Sequence, residues 1–192
     1  MTPPLLTLSG PPGGGTTTAA TAIATQYNLE HVSGGDIFRA VAKDHGLSLA
    51  ELTALAEEDD SFDKELDSRL EQTARDHVLG VRECSGAGLI LESRLAGWLA
   101  GDDADFRVYL DAPADVRVSR IGDRTETADE LLTREQSEAR RYMEYHGIDV
   151  FDRSIYDLCL NTDVVDEDSM IGILSTCVES LGLTRVNGSQ IQ

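Results

Sequence analysis

The chain has 192 residues, 41% of them apolar, enough for one domain with a sizeable core. Asp and Glu number 35 against 16 Lys and Arg, a net charge of −19, which argues against non-specific nucleic-acid binding. No apolar run reaches the length of a membrane span, and the periodicity of apolar residues along the whole chain argues against disorder.

The surface implied by this composition is acidic and poor in lysine: only Lys43 and Lys64 are present. Such a surface suits a protein kept soluble in a high-salt cytoplasm, where screening weakens self-repulsion. Cys84, Cys159 and Cys177 are widely spaced, with no C-x-x-C pair, and read as reduced thiols rather than a disulfide framework or metal site. Met1-Thr-Pro-Pro carries no basic or long apolar segment, so no secretory signal is expected.

In chain order, Leu5 to Ser9 predicts a strand that breaks into Gly10-Pro-Pro-Gly-Gly-Gly15 and passes into a helix of small residues, Ala19 to Thr25. A strand, a glycine-rich turn and a helix N-terminus form a phosphate cradle, because backbone N–H groups and the helix dipole converge on one point. Gly10, Gly15 and Thr17 fit the pattern G-x-x-x-x-G-K-[ST], but Thr16 stands where the pattern has lysine. Asn28 to Ser33 predicts a short extended piece. Gly34 to Lys43, Leu49 to Glu57 (capped by Ser48) and Phe62 to Val78 predict helices, so residues 34 to 82 form an all-helical insertion.

Gly88 to Glu92 predicts a buried strand, Leu95 to Ala100 a loop or short helix, and Phe106 to Leu110 another strand. Helices follow over Ala114 to Arg124 and Asp129 to Tyr145, separated by a polar break at Thr125 to Ala128. Leu158 to Thr162 is the last strand and Asp166 to Leu181 the last helix; a polar tail from Thr184 to Gln192 reads as disordered. Strands alternating with helices predict an α/β fold, a three-layer, doubly wound, five-stranded parallel sheet.

Ligands in such a sheet bind past the carboxyl ends of the strands. The residues there are the glycine loop, Ser33-Gly-Gly-Asp36 with Arg39, Glu92 with Arg94, and Asn161-Thr162. Arg39, on a helix N-terminus, suits an anionic group. Glu92 ends an apolar strand, where a magnesium-bound water or an arginine would satisfy its carboxylate. Arg117, Arg120 and Arg124 fall at helical spacing, as do Arg134, Glu138 and Arg141, although Arg117 and Arg140 also fit pairing with surface carboxylates. Two arginine clusters around a short polar loop suggest a lid that closes over phosphates and supplies the charge that Thr16 cannot.

Taken in order, Gly10-Pro-Pro-Gly-Gly-Gly-Thr-Thr-Thr18, Ser33-Gly-Gly-Asp-Ile-Phe-Arg39, Leu91-Glu-Ser-Arg-Leu-Ala-Gly-Trp98, the Arg134, Glu138, Arg141 spacing and Ser154-Ile-Tyr-Asp-Leu-Cys-Leu-Asn-Thr162 resemble archaeal-type cytidylate kinases, of the P-loop nucleoside monophosphate kinases. The resemblance implies transfer of the γ-phosphoryl of ATP to CMP or dCMP with magnesium, in a cytoplasmic monomer whose partners are nucleotides, not nucleic acid or a membrane. It implies a core over 5–33, 84–124 and 134–183, an acceptor-binding insertion over 34–83 and a lid over 125–133. It further implies that Gly10, Pro11, Pro12, Gly13, Gly14, Gly15, Thr16, Thr17, Thr18 and Arg120 hold ATP, with Thr17 and Glu92 at magnesium, the latter through water. Ser33, Asp36, Arg39, Arg94 and Glu138 would bind the acceptor, and Arg94, Arg124, Arg134 and Arg141 would act in transfer. An adenylate or uridylate kinase would share the phosphate-handling residues. A kinase acting on shikimate would share the glycine loop, and a non-catalytic ATP-binding module would not need the arginine clusters.

Overall fold

A computed structural model describes residues 3–121 and 127–185. Five strands, β1 (Leu5–Ser9), β2 (Glu30–Ser33), β3 (Leu89–Glu92), β4 (Phe106–Asp111) and β5 (Leu158–Asn161), form one sheet in the order β2-β3-β1-β4-β5. Every neighbouring pair is parallel, with Leu8 level with Glu92 and Val108, and Ser33 also level with Glu92. The carboxyl ends of β1, β2 and β3 therefore open at one edge, where Ser9, Ser33 and Glu92 sit side by side. Strand order reverses on either side of β1, and that switch point is where a doubly wound sheet takes its ligand.

Helices α1 (Thr16–Tyr27) and α8 (Glu167–Ser180) cover one face; α4 (Ser61–Val78) and α5 (Ala96–Ala100) cover the other. Alternate residues of β1 divide between them. Leu6 and Leu8 pack with Ala20, Ile23 and Leu174, whereas Leu5 packs with Ala74, Leu91 and Ala96. Being covered on both sides, β1 is buried at all five positions, which is why it reads as a near-continuous apolar run. A 3-10 turn, Gly101–Asp103, leads from α5 into β4.

The expected insertion is helical throughout: α2 (Gly34–Asp44), α3 (Leu49–Glu58) and α4 enclose their own small core of Val41, Leu52 and Leu70. Its helix starts are chemically marked. Ser33 and Asp36 form a reciprocal capping box on α2, as Ser48 and Glu51 do on α3. The same box, Thr127 with Glu130, starts α7 (Ala128–His146). Thus the described part of the expected lid, 127–133, is the capped start of a helix rather than a loop.

Three features differ from expectation. Helix α6 is Ala114–Arg120, with Ile121 as its C-cap, so it does not run to Arg124, which lies outside the described residues. Within α6 the two described arginines differ in burial: Arg117 is 4% exposed and turns inward, while Arg120 is exposed. Three residues advance a helix by about 300°, leaving the two side chains about 60° apart, enough here to put them on opposite sides of a buried boundary. At the carboxyl end, Arg185 of the expected disordered tail is held, its Nε donating to Glu179 Oε1 (2.9 Å) and the Tyr27 hydroxyl (3.2 Å). Among the described residues no helix is long and apolar enough to cross a membrane.

Candidate active site

The glycine loop follows β1 directly. A Cβ at Gly10 would stand 2.2 Å from the Leu110 carbonyl oxygen, so the loop can lie against β4 only with glycine there. Gly15 caps α1 at φ 97°, a left-handed conformation that L side chains avoid. The Pro11 carbonyl accepts from Gly14 N–H (2.9 Å), closing the turn. Pro12 and Gly13 present their carbonyls to Arg117 (3.3 Å) and Arg120 (3.2 Å). Thr162, at the end of β5, fixes the loop from the other side: its Oγ1 is 3.0 Å from the Gly14 carbonyl oxygen and accepts from Arg120 at 2.8 Å.

Two clefts flank this loop. One, of about 430 Å³, is lined by Gly13, Gly15, Thr16, Thr17, Thr18 and Arg120, with α8 residues including Met170 forming the far wall. The other, of about 470 Å³, is lined by Ser33, Gly34, Gly35, Arg39, Glu92 and Arg94. It is completed by Ser93 and Leu95 after β3, by Leu66 and Asp67 of α4, and by Tyr142 of α7. Thr17 lines both. Ser33, Arg39 and Arg94 of the expected acceptor set line the second cleft, Asp36 and Glu138 do not, and the two clefts meet at Thr17.

Beside Thr17 lies Glu92, 8% exposed. Its Oε1 accepts from the hydroxyls of Thr16 (2.9 Å) and Thr17 (2.7 Å), and Oε2 is 3.1 Å from His31 Nε2. Burial alone would raise this carboxyl, but the hydrogen bonds from His31, Thr17 and Thr16 outweigh it and hold the group below its ordinary value. Its partners are therefore two hydroxyls and a histidine, not an arginine. With no lysine at position 16, the Thr16 side chain turns onto Glu92. The sequence reading missed His31, and nothing local marks it: it stands 61 positions from its partner.

The expected charges divide into three groups. Arg120 faces the first cleft, held by the Gly13 and Thr162 carbonyls and the Thr162 hydroxyl, and among the described residues no carboxylate pairs with it. Arg39 and Arg94 face the second cleft. Arg39 is paired with Asp36 at 2.7 Å, an exposed contact. Arg94 lies 3.7 Å from Glu135 and 3.4 Å from Glu138, yet one of its buried terminal nitrogens makes no hydrogen bond.

Arg134 and Arg141, on α7, line neither cleft. Arg134 is 3.3 Å from Glu138 Oε1, so Glu138 sits between Arg134 and Arg94. The buried Nε of Arg141 has no hydrogen-bond partner. Arg141 lies near Asp63 of α4 and draws that carboxyl down, but burial prevails and raises it. Asp36 is committed to its helix start: the Ser33 hydroxyl and N–H, then Arg39, hold it at about 2. It does not line the second cleft, although Ser33 does.

Under the clefts runs a buried ion network. Arg117 binds Glu135 through both terminal nitrogens, one at 3.0 Å from Oε2, and its Nε donates to the Ala112 carbonyl at 2.8 Å. Arg117 thus pairs with the buried Glu135 and also, as expected, with an exposed carboxylate, Asp111 Oδ1, 3.4 Å from its Nε. It ties α7 to the strand end of β4 and to the glycine loop. On the opposite flank, His146 Nε2 is 2.9 Å from Asp67 Oδ2, joining α7 to α4. Asp67 is 5% exposed; burial raises its carboxyl to about 6, with His146 opposing the rise.

The sequence pattern of the cytidylate kinase-like family matches residues 5–164, which include the glycine loop, the whole lining of the second cleft and Thr162. The chain belongs to that family. A cytidylate kinase from Haloquadratum walsbyi is 53% identical over 165 residues, covering 82% of this chain and 80% of the relative. Another from Natronomonas pharaonis is 46% identical over 181 residues, covering 92% and 90%. Among solved structures, shikimate kinase from Bacteroides thetaiotaomicron superposes with a TM-score of 0.61 at 16% identity, covering 92% of this chain and 98% of that one. The last likeness establishes the fold alone. By family the chain is a kinase, with a nucleotide-binding P-loop.

Proposed function

We propose that this chain transfers the γ-phosphoryl group of ATP to CMP and dCMP, giving CDP and dCDP. The observation that carries this reading is the pair of clefts meeting at Thr17, with Arg120 on the donor side and Arg39 and Arg94 on the acceptor side. The cytidylate kinases similar to this chain supply the acceptor class. The glycine loop and the N-terminus of α1 hold the donor phosphates through backbone N–H groups. The acceptor phosphate enters against the guanidinium groups of Arg39 and Arg94, which line this cleft. Transfer is direct and in line, so the chain's work is to position two anions and neutralise their charge.

Magnesium fits the oxygen donors available: the Thr17 hydroxyl and the Glu92 carboxylate are the hard ligands it prefers. Among the described residues no three or more His, Cys, Asp or Glu group into a metal site, so phosphate oxygens and water would complete the shell. When bound, the ion neutralises phosphate charge. Arg134 and Arg141 reach the transferring group only when the lid, 125–133, and the α7 that continues it close toward the clefts; Arg124, the third arginine of the transfer set, lies outside the described residues. Glu138, released from Arg134, would then contact the acceptor. The protein acts as a monomer in a cytoplasm of high salt, where a charge of −19 is screened. A thermal melt should therefore gain stability between low and molar KCl, and no gain would reject the high-salt reading.

A coupled ADP-release assay against CMP, dCMP, UMP, AMP and shikimate tests the reading. Turnover with CMP and dCMP at rates well above the others supports it. Preference for UMP, AMP or shikimate, or ATP binding without any turnover, rejects it.

A further inference from the structure

The acceptor cleft contains two buried carboxylates, Glu92 and Asp67. Glu92 is spent on Thr16, Thr17 and His31. Asp67 has one hydrogen-bonded oxygen, Oδ2, held by His146 at 2.9 Å, and this leaves Oδ1 to the cleft that Asp67 lines. A carboxylate in a cleft built for an anion must face away from the phosphate, since like charges repel at close range. Its neighbours on that wall are Leu66 and the ring of Tyr142, a largely apolar pair suited to the flat faces of a heteroaromatic ring rather than to a sugar.

We infer that Asp67 reads the acceptor base, its Oδ1 accepting a hydrogen bond from the exocyclic amine of cytosine. An ionised carboxylate can only accept, so it favours a base edge that presents N–H and rejects one that presents a carbonyl oxygen at the same position. Cytosine carries the amine there; uracil carries oxygen. His146 is the positioning residue, fixing the carboxylate by its second oxygen and pinning α4 to α7 behind the base. Adenine also carries an amine, so Asp67 does not separate CMP from AMP; the size of the cleft must do that. In this structure Arg94 and Arg134 hold both oxygens of Glu138, whereas Asp67 has one of its two oxygens held, by His146.

This inference rests on the acceptor being a cytidine nucleotide. Its test compares kcat/KM for CMP, dCMP, UMP and the 2-pyrimidinone ribonucleoside monophosphate, which is CMP with hydrogen in place of the amine. Wild-type protein, Asp67→Asn and Asp67→Ala are assayed together, with thermal melts and ATP affinity as controls. Wild type should favour CMP over the amine-free analogue by 10-fold or more, and Asp67→Ala should reduce that ratio to about twofold. Asp67→Asn, whose amide can turn its N–H₂ toward a carbonyl oxygen, should raise UMP relative to CMP by 10-fold or more. A merely structural Asp67 would lower all acceptors together and leave both ratios unchanged, which would overturn the inference. So would a changed CMP-to-dCMP ratio with the amine ratio intact, which would assign Asp67 to the sugar. Should both variants fail to fold, the wild-type ratio decides: equal turnover of CMP and its amine-free analogue overturns the proposal. A wild type that phosphorylates UMP and not CMP contradicts the proposed acceptor itself, an outcome read separately from these ratios.

Discussion

The donor and acceptor halves of the site are built in different ways. The donor half is made of backbone: glycines at the tip of β1, the first turn of α1, and carbonyls to which Arg120 and Thr162 are fastened. The acceptor half is made of side chains that come together from β3, α2, α4 and α7. There the charges are held by one another, Arg94 between Glu135 and Glu138, and Asp67 against His146. A backbone cradle recognises what all nucleoside triphosphates share, whereas a ring of side chains can be retuned one residue at a time. The donor half is therefore the generic part and the acceptor half the specific one.

The largest expected break of this contrast is Gly10→Ala. A methyl group 2.2 Å from the Leu110 oxygen forces the loop off β4, and calorimetry should find ATP affinity reduced at least 10³-fold with CMP affinity within a few-fold. Next comes Glu135→Ala, which leaves Arg117 buried without its partner. The cost should be about 3–5 kcal/mol, read as a fall in melting temperature of about 10 °C for a chain of this size. Arg141→Ala should keep the melting temperature and reduce turnover at least 100-fold, with little change in KM for ATP. Unchanged turnover would remove Arg141 from the transfer step.

The smallest effect is a pH dependence confined to the acceptor half. The Asp67 carboxyl rises from 3.8 unfolded to about 6 folded, with Asp63 of its own helix and His146 and Tyr142 of α7 around it. Between those values the folded state holds more protons than the unfolded one, so this group's contribution is present below about pH 4 and lost as pH rises past 6. The loss is up to about 2–3 kcal/mol. Urea melts should show it in wild type and not in Asp67→Asn. Glu30, drawn down to about 2 by Arg82, has the opposite sign and loses its contribution as pH falls below about 4.

The same contrast explains what could be read from the residues alone. The donor loop is contiguous, so its strand, glycines and helix start are visible between Leu5 and Thr18, and the five strands follow from short apolar runs. Capping was also legible, since S-x-x-D at Ser33 and T-x-x-E at Thr127 are local patterns; reading Asp36 as a substrate ligand overlooked that use. The rest of the acceptor half depends on partners far apart in sequence. His146 is 79 positions from Asp67, and Arg117 is 18 from Glu135 with a helix break between. No spacing rule joins such residues, and the inward turn of Arg117 is decided by the packing of α6 against α7.

The central claim is that the two halves bind their nucleotides independently, with Arg94 belonging to the acceptor. Calorimetric titration of Arg94→Ala with CMP and, separately, with an ATP analogue that cannot be hydrolysed tests it directly. The account predicts CMP affinity at least 10-fold weaker and ATP-analogue affinity within twofold of wild type. Equal losses for both nucleotides, or a loss confined to the ATP analogue, would contradict it.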